Sequence, residues 1–291
     1  MNSYKNHKEL IAFEKDRFPP VGKMIEINEQ GDRIHLYSEG TGDKALVFLS
    51  WLGTFSPYYD FKPLFTKLSD KYKIIVIERA GYWWSDITDS SRNIDNVLDE
   101  ARKVLKLANI DWPYILLPHS MAGLKSIYWA NSYPDEVEMI IWLDPLVPGY
   151  HEVAQEKPSF SRLTNFLVDT GLVRNRPEVF YENFHAKSFL DKFDIYVAKT
   201  LFYRRVQTDN MWNEIEYLDK NASLVSKNNQ IQIPFHAFIS SENEDDYWKQ
   251  KIVSYSKNTG GKNFILDGGH YIHLDFPEYI AKKSKNLIEG N

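Results

Sequence analysis

"YILLPHSMAGLKSIYWA", residues 114–130, joins two runs of different periodicity at a single serine. Tyr114–Leu117 is a continuous apolar run of the length of a buried strand. From Met121 onward the spacing is helical, and the small residues Ala122 and Gly123 stand just beyond the join. Ser120 between the two runs reads in two ways. A serine can cap the helix that follows. It can also be a nucleophile projected from a strand-to-helix turn. The rest of the chain decides between them.

Working outward, the same rhythm repeats. Residues 23–28 (KMIEIN) and 33–40 (RIHLYSEG) alternate like strands around the turn residues Gly31 and Asp32, which predicts a hairpin. Residues 44–50 and 73–78 are continuous apolar strands, and residues 58–72 between them carry Phe61, Leu64, Phe65 and Leu68 on one helical face. A helix over 93–110 precedes the strand at 114–118. The helix from Met121 runs to about Tyr133, ahead of a strand at 139–144. Strands of unbroken apolar residues that alternate with helices predict a parallel sheet covered on both faces. The rhythm stops from about Pro148 to Asn229, where three or more helical, aromatic-rich segments appear. It resumes with strands at 233–240 and 262–269, a helix around 245–258 and a last helix from about Ile272. A helical block between two strands of one sheet reads as a cap. Its aromatics Phe180, Phe184, Phe189, Phe202, Tyr203, Trp212 and Tyr217 either line a pocket or form its own core.

Composition narrows the function. With 35 basic and 40 acidic residues the net charge is −5, so there is no basic field for nucleic acid. The chain has no cysteine, which removes disulfides, thiolate metal sites and a cysteine nucleophile. The first twenty residues are polar and charged, with no apolar run fit for a signal peptide or a membrane span. They read as an amphipathic helix leading into a domain with a cytoplasmic home. No histidine spacing suggests a metal, and no cofactor is implied.

Ligands of open α/β sheets bind beyond the carboxyl ends of the strands. Four stretches fall at such ends: Ser120, residues 50–53 (SWLG), Asp144 and residues 268–273 (GGHYIH). "PHSMAG" resembles the Gly-x-Ser-x-Gly nucleophile elbow of the α/β-hydrolase superfamily. Residues 78–86 (ERAGYWWSD) resemble that superfamily's loop after the fourth strand, and residues 268–280 resemble its histidine loop and helix. The resemblance covers nearly the whole chain. It implies a mostly parallel eight-stranded sheet with an inserted all-helical cap. The corresponding boundaries are an N-terminal helix at 1–20, a core at 21–147 and 230–291, and a cap at 148–229. Pro118 and Ala122 replace the two motif glycines, and Gly123 stands one place further on.

On this resemblance Ser120 is the nucleophile. His270 is the natural base, because imidazole titrates near neutrality and Gly268 and Gly269 let the loop deliver the ring. His273 is its rival, but falls inside the last helix. His119 packs under the elbow. The acid follows either the sixth strand, as Asp144 in an apolar setting, or the seventh, as Glu244 in a charge run. An isolated carboxylate beside apolar residues needs a partner, which favours Asp144. The resemblance puts the oxyanion donors at Leu52 and Met121. Trp51 and Trp83 stand where the superfamily usually has glycine, and would wall or narrow a substrate pocket.

The expected activity is hydrolysis of a small carboxylic ester through an acyl-enzyme. Amide, thioester or carbon–carbon bond hydrolysis and acyl transfer share the scaffold. An aspartate nucleophile, as in dehalogenases and epoxide hydrolases, does not fit a serine at position 120. A reading of another class is a ligand-binding protein that kept the fold and lost turnover, to which the two tryptophans point. The partner is a small molecule; the oligomeric state and the identity of the substrate stay open.

Overall fold

The computed structural model describes residues 2–50, 54, 56–145, 162–227, 231–242 and 246–290. The strands are β1 (Lys23–Glu26), β2 (Arg33–Glu39), β3 (Ala45–Leu49), β4 (Lys73–Ile77), β5 (Tyr114–Pro118), β6 (Val137–Leu143), β7 (Phe235–Ser240) and β8 (Asn263–Leu266). The α-helices are α1 (Asn2–Arg17), α2 (Pro57–Phe65), α3 (Ile94–Leu107), α4 (Ala122–Ser132), α5 (Arg162–Asp169), α6 (Pro177–Asn183), α7 (Lys192–Arg205), α8 (Asp209–Lys227), α9 (Asp246–Asn258), α10 (Ile272–Asp275) and α11 (Pro277–Ile288). The strands form one eight-stranded sheet in the order β1-β2-β4-β3-β5-β6-β7-β8. Only the pairings of β2, with β1 and with β4, are antiparallel. From β4 across to β8 every pairing is parallel.

The apolar strands are buried on both faces, as a parallel sheet requires. In β3, Leu46 and Phe48 join one core and Ala45, Val47 and Leu49 the other; in β5, Ile115 and Leu117 part from Tyr114 and Leu116 in the same way. The period of two puts successive side chains on opposite faces. Each fully buried aliphatic side chain contributes about 1.5–3 kcal/mol of transfer free energy, and these two layers hold the strand ends in place. Pro118 is tolerated in a central strand because it is the last residue of β5, opposite Leu49.

Between β6 and β7, all regular structure among the described residues is helical. Phe180 stacks on Phe184 at 4.9 Å and meets Phe202 at 5.6 Å, so these aromatics form the insertion's own core. Phe184 also meets Tyr59 of α2 and Trp83, which makes that core continuous with one face of the sheet domain. Phe189, by contrast, is exposed. The start of α8 is clamped to the loop after β4. Asn210 exchanges hydrogen bonds with the Thr88 backbone at 2.9 and 3.0 Å, and the Thr208 hydroxyl donates to the Gly81 carbonyl.

Three elements differ from the sequence reading. Helix α2 ends at Phe65, and the chain continues to Tyr72 in single turns. The last helix is split into α10 and α11 at Pro277, where proline starts a new helix better than it continues one. The N-terminal helix exists but is not apolar on its buried side. Leu10 and Phe13 are exposed, Phe13 by 62%, whereas His7 and Glu14 are buried. Arg174 is the reason: it donates to both Glu14 oxygens at 2.7 and 2.8 Å and to His7 Nδ1 at 3.0 Å. Among the described residues no helix is long and apolar enough to cross a membrane.

Candidate active site

β5 ends between β3 and β6, and the chain turns there into α4. Ser120 takes the turn at φ = +54°, a left-handed conformation that a residue with a Cβ adopts rarely and at a cost of about 1–3 kcal/mol. Its backbone is held from several sides. Its N–H donates to the Leu143 carbonyl at 3.1 Å, and its carbonyl accepts from Gly123 N at 3.1 Å and from the Trp142 indole at 3.4 Å. Gly123 explains the small residues beyond the serine. A Cβ at that position would lie 1.5 Å from Trp142 Cζ2, so only glycine lets α4 pack against the β6 indole. Ser120 makes no helix cap, since the residue at the cap position of α4 is Met121 and no side chain caps it.

Asp144 directly follows β6, also left-handed at φ = +44°, and is 1% exposed. Its Oδ1 accepts from Ser240 N at 2.7 Å, and its Oδ2 from the Ser240 hydroxyl at 3.1 Å and from His270 Nδ1 at 2.6 Å. Because a carboxylate only accepts, the Nδ1 that faces it carries a proton, and in the neutral ring the lone pair is then on Nε2. The imidazole itself is 42% exposed, so the pair has a buried end and an open end. The structure thus brings Asp144 to His270. Glu244 lies outside the described residues, as do Trp51 and Leu52.

His119 ties the histidine loop to the elbow. Its Nε2 donates to the His270 carbonyl at 3.0 Å, and the two rings lie 4.6 Å apart. Burial, with His273 and His270 as neighbours, holds His119 well below the usual imidazole range, so it is neutral there. His273 sits in α10, fully buried against His119 and Phe61, with neither ring nitrogen hydrogen-bonded. Burial, then His270 and His185, push it down to about 3. Side-chain ends close over both glycines of the loop that carries His270. A Cβ at Gly268 would lie 2.8 Å from Phe276, and one at Gly269 would lie 2.9 Å from a Glu242 oxygen.

Trp83 is buried, at φ = +35°, between Tyr59 and Phe184. Its carbonyl accepts from Arg205 Nε at 3.1 Å. The indole therefore belongs to the aromatic layer that joins the sheet domain to the insertion.

Sequence reasoning missed two supports. Ser240 was visible only as a serine at the end of the seventh strand; its role needs the pairing of β7 with β6, which sequence does not display. Arg79 stands in "ERAGYWWSD" at the end of β4. It donates to the Ser50 hydroxyl at 3.0 Å and to the Ser50 carbonyl, and pairs with Glu214 of α8 at 3.0 Å. Burial alone would raise the Glu214 carboxyl, but Arg79 and Arg92 hold it below the usual range. This pair fixes the end of β3, from which the chain enters residues 51–53. Among the described residues no group of three or more His, Asp or Glu side chains is placed to hold a metal ion.

Comparison with protein-family models finds no match. The uncharacterized protein YbdG of Bacillus subtilis (strain 168) is 32% identical over 280 residues, covering 92% of this chain and 86% of that protein. Among solved structures, the epoxide hydrolase VrEH1 from Vigna radiata is similar with a TM-score of 0.74 at 15% identity, covering 92% of this chain and 98% of that one. The enol-lactonase from Burkholderia xenovorans LB400 is similar with a TM-score of 0.62 at 13% identity, covering 92% and 100%. The sheet order, the helical insertion after β6 and these likenesses agree: the chain has the α/β-hydrolase fold, and it belongs to one family with its Bacillus relative.

Proposed function

We propose that the protein is a serine hydrolase that cleaves a small carboxylic ester through an acyl-enzyme. The observation that carries this reading is the Asp144–His270 contact, held by His119 beside a serine in a left-handed elbow. In this reading His270 Nε2 takes the proton of Ser120 Oγ as the hydroxyl attacks the ester carbonyl. Asp144 keeps Nδ1–H pointed at itself and stabilises the imidazolium that forms. The N–H groups of Met121 and Leu52 receive the oxyanion. When the carbon–oxygen bond breaks, the imidazolium returns its proton to the departing alcohol. Water then attacks the acyl-Ser120 ester with His270 again as base, which releases the acid and restores the serine.

The epoxide hydrolase neighbours do not carry their chemistry over, because position 120 holds a serine rather than a carboxylate. Trp51 is proposed to restrict the acyl group to short chains, whereas Trp83, buried between Tyr59 and Phe184, packs the layer that joins the sheet domain to the insertion. The test is a fluorophosphonate probe with p-nitrophenyl esters of graded length. Labelling of Ser120, and a loss on the order of 10⁴-fold or more in Ser120→Ala, are the expected results. An alanine variant that kept a tenth of the activity would remove Ser120 from the role.

A further inference from the structure

A cavity of about 90 Å³ lies between the start of α3, the first turns of α4 and the middle of α8. Ser50 and Met121, the residue after Ser120, both form part of its wall, so it adjoins the elbow. Much of the lining is aliphatic; beside the neutral Ser50 and Asn221, the charged part is Lys125 from α4, Arg92 from just before α3, and Arg79, against Glu214 of α8.

The charges do not balance. Arg79 pairs with Glu214 at 3.0 Å, and Arg92 pairs with Glu100 at 2.7 Å. The two carboxylates of this cluster are thereby engaged, and Lys125 is the surplus cation. Lys125 is 8% exposed, and among the described residues its ammonium makes no hydrogen bond or ion pair. Arg92 is completely buried. Its Nε and Nη2 make no hydrogen bond, although Nη2 lies 3.6 Å from a Glu214 oxygen. Burial, then Arg79, push the Lys125 ammonium down to about 7. Leaving buried cationic donors unpaired is costly. A position that only had to pack would be served by methionine or leucine. An apolar wall with convergent unpaired donors is the form of a ligand site, and the donors call for an anion.

We propose that this cavity is a subsite for a small carboxylate, with Lys125 as its counter-ion and Arg92 as a second donor. The acyl group is the part of the substrate bonded to Ser120, and the cavity is walled by the residues next to Ser120. The carboxylate is therefore assigned to the far end of a short acyl group, as in a half-ester of a small dicarboxylic acid. As an anion site the proposal stands on the cavity and its unpaired donors; as an acyl subsite it also rests on the ester-hydrolase reading above.

The experiment is calorimetric titration of wild type, Ser120→Ala and Lys125→Met with sodium acetate and sodium glutarate, against chloride at matched ionic strength. A carboxylate is expected to bind wild type and Ser120→Ala alike, and to bind Lys125→Met more weakly by on the order of tenfold or more, the scale of a hydrogen bond to a charged group. Lys125→Arg, which keeps the charge, should recover part of the loss and serves if the methionine variant does not fold. With esters, the preference for an acyl group ending in carboxylate over a neutral one of equal length should fall by a similar factor in Lys125→Met. Equal carboxylate affinity in wild type and Lys125→Met overturns the proposal, as does chloride binding as strong as acetate binding. Lys125-dependent carboxylate binding in a protein whose Ser120 takes no fluorophosphonate supports the anion site and overturns the hydrolase reading instead.

Discussion

At the scale of single residues, the Asp144 carboxylate spends both oxygens on Ser240 and His270. An asparagine there would keep the shape and lose the symmetry. If its oxygen faces the Ser240 N–H, its amide group faces His270 Nδ1 and demands a lone pair from it. The proton then moves to Nε2, the wrong tautomer for a base. Asp144→Asn is expected to lower kcat by about 10⁴-fold, the loss seen for the equivalent change in serine proteases, with the fold retained. Loss of less than tenfold would place the acid elsewhere. Ser120, Asp144 and His270 could be singled out in the sequence as candidates, from their places after strand ends and from the superfamily resemblance. Between Asp144 and Glu244 the sequence favoured Asp144 and left the alternative open, since the pairing depends on which strand end faces the histidine loop; the structure brings Asp144 to His270. Lys125 was not singled out. On a helix of small and apolar residues a lysine looks like a solvated surface position, and only the crossing of α8 buries it.

At the scale of elements, the elbow is an agreement between β5, α4 and β6 that runs through one glycine. Gly123 and Trp142 occupy the same space as closely as a helix and a strand can. Gly123→Ala is expected to destabilise by about 1–3 kcal/mol or more, as overpacking does, and so to lower Tm by several degrees. It should also lower turnover, since the Trp142 indole donates to the Ser120 carbonyl. Trp142→Phe in the same chain frees space and should recover part of the stability. If Gly123→Ala left both Tm and activity unchanged, the close approach would not matter. Strands were the most legible elements, because unbroken apolar runs of five to seven residues admit few other readings. Helix ends were less so, as α2 and the split at Pro277 show. Which side of α1 is buried was not legible in its amphipathic pattern, because the half-buried Arg174 that holds His7 and Glu14 lies more than 150 residues away in sequence.

At the scale of the whole molecule, titration of the interior sets where the fold is stable. Burial comes first among the causes that lower His7, His119, His185, His236 and His273 from the ordinary imidazole range. In the unfolded chain these rings regain a pKa near 6.5. Between that value and the lower folded one, the unfolded state binds more protons, so stability is complete above about pH 6.5 and is lost as pH falls. For His273 the window runs from 6.5 down to about 3. At about 1.4 kcal/mol per unit this one ring accounts for several kcal/mol across the window. The tyrosines act with the opposite sign. Burial raises Tyr58, Tyr72 and Tyr114 to about 12. Their contribution is present below the unfolded value of about 10 and fades as pH rises through 12. The histidines therefore contribute fully above about pH 6.5 and the tyrosines below about pH 10, so these two sets together favour the interval between. His273→Phe isolates the leading acid contribution. Phenylalanine fills similar space beside Phe61 and has no nitrogen to leave unpaired. The Tm of His273→Phe should match or exceed that of wild type at pH 8, and its advantage should widen steadily from pH 6.5 to pH 4. A gap that stayed constant with pH would mean that His273 is not a buried neutral imidazole in the folded protein.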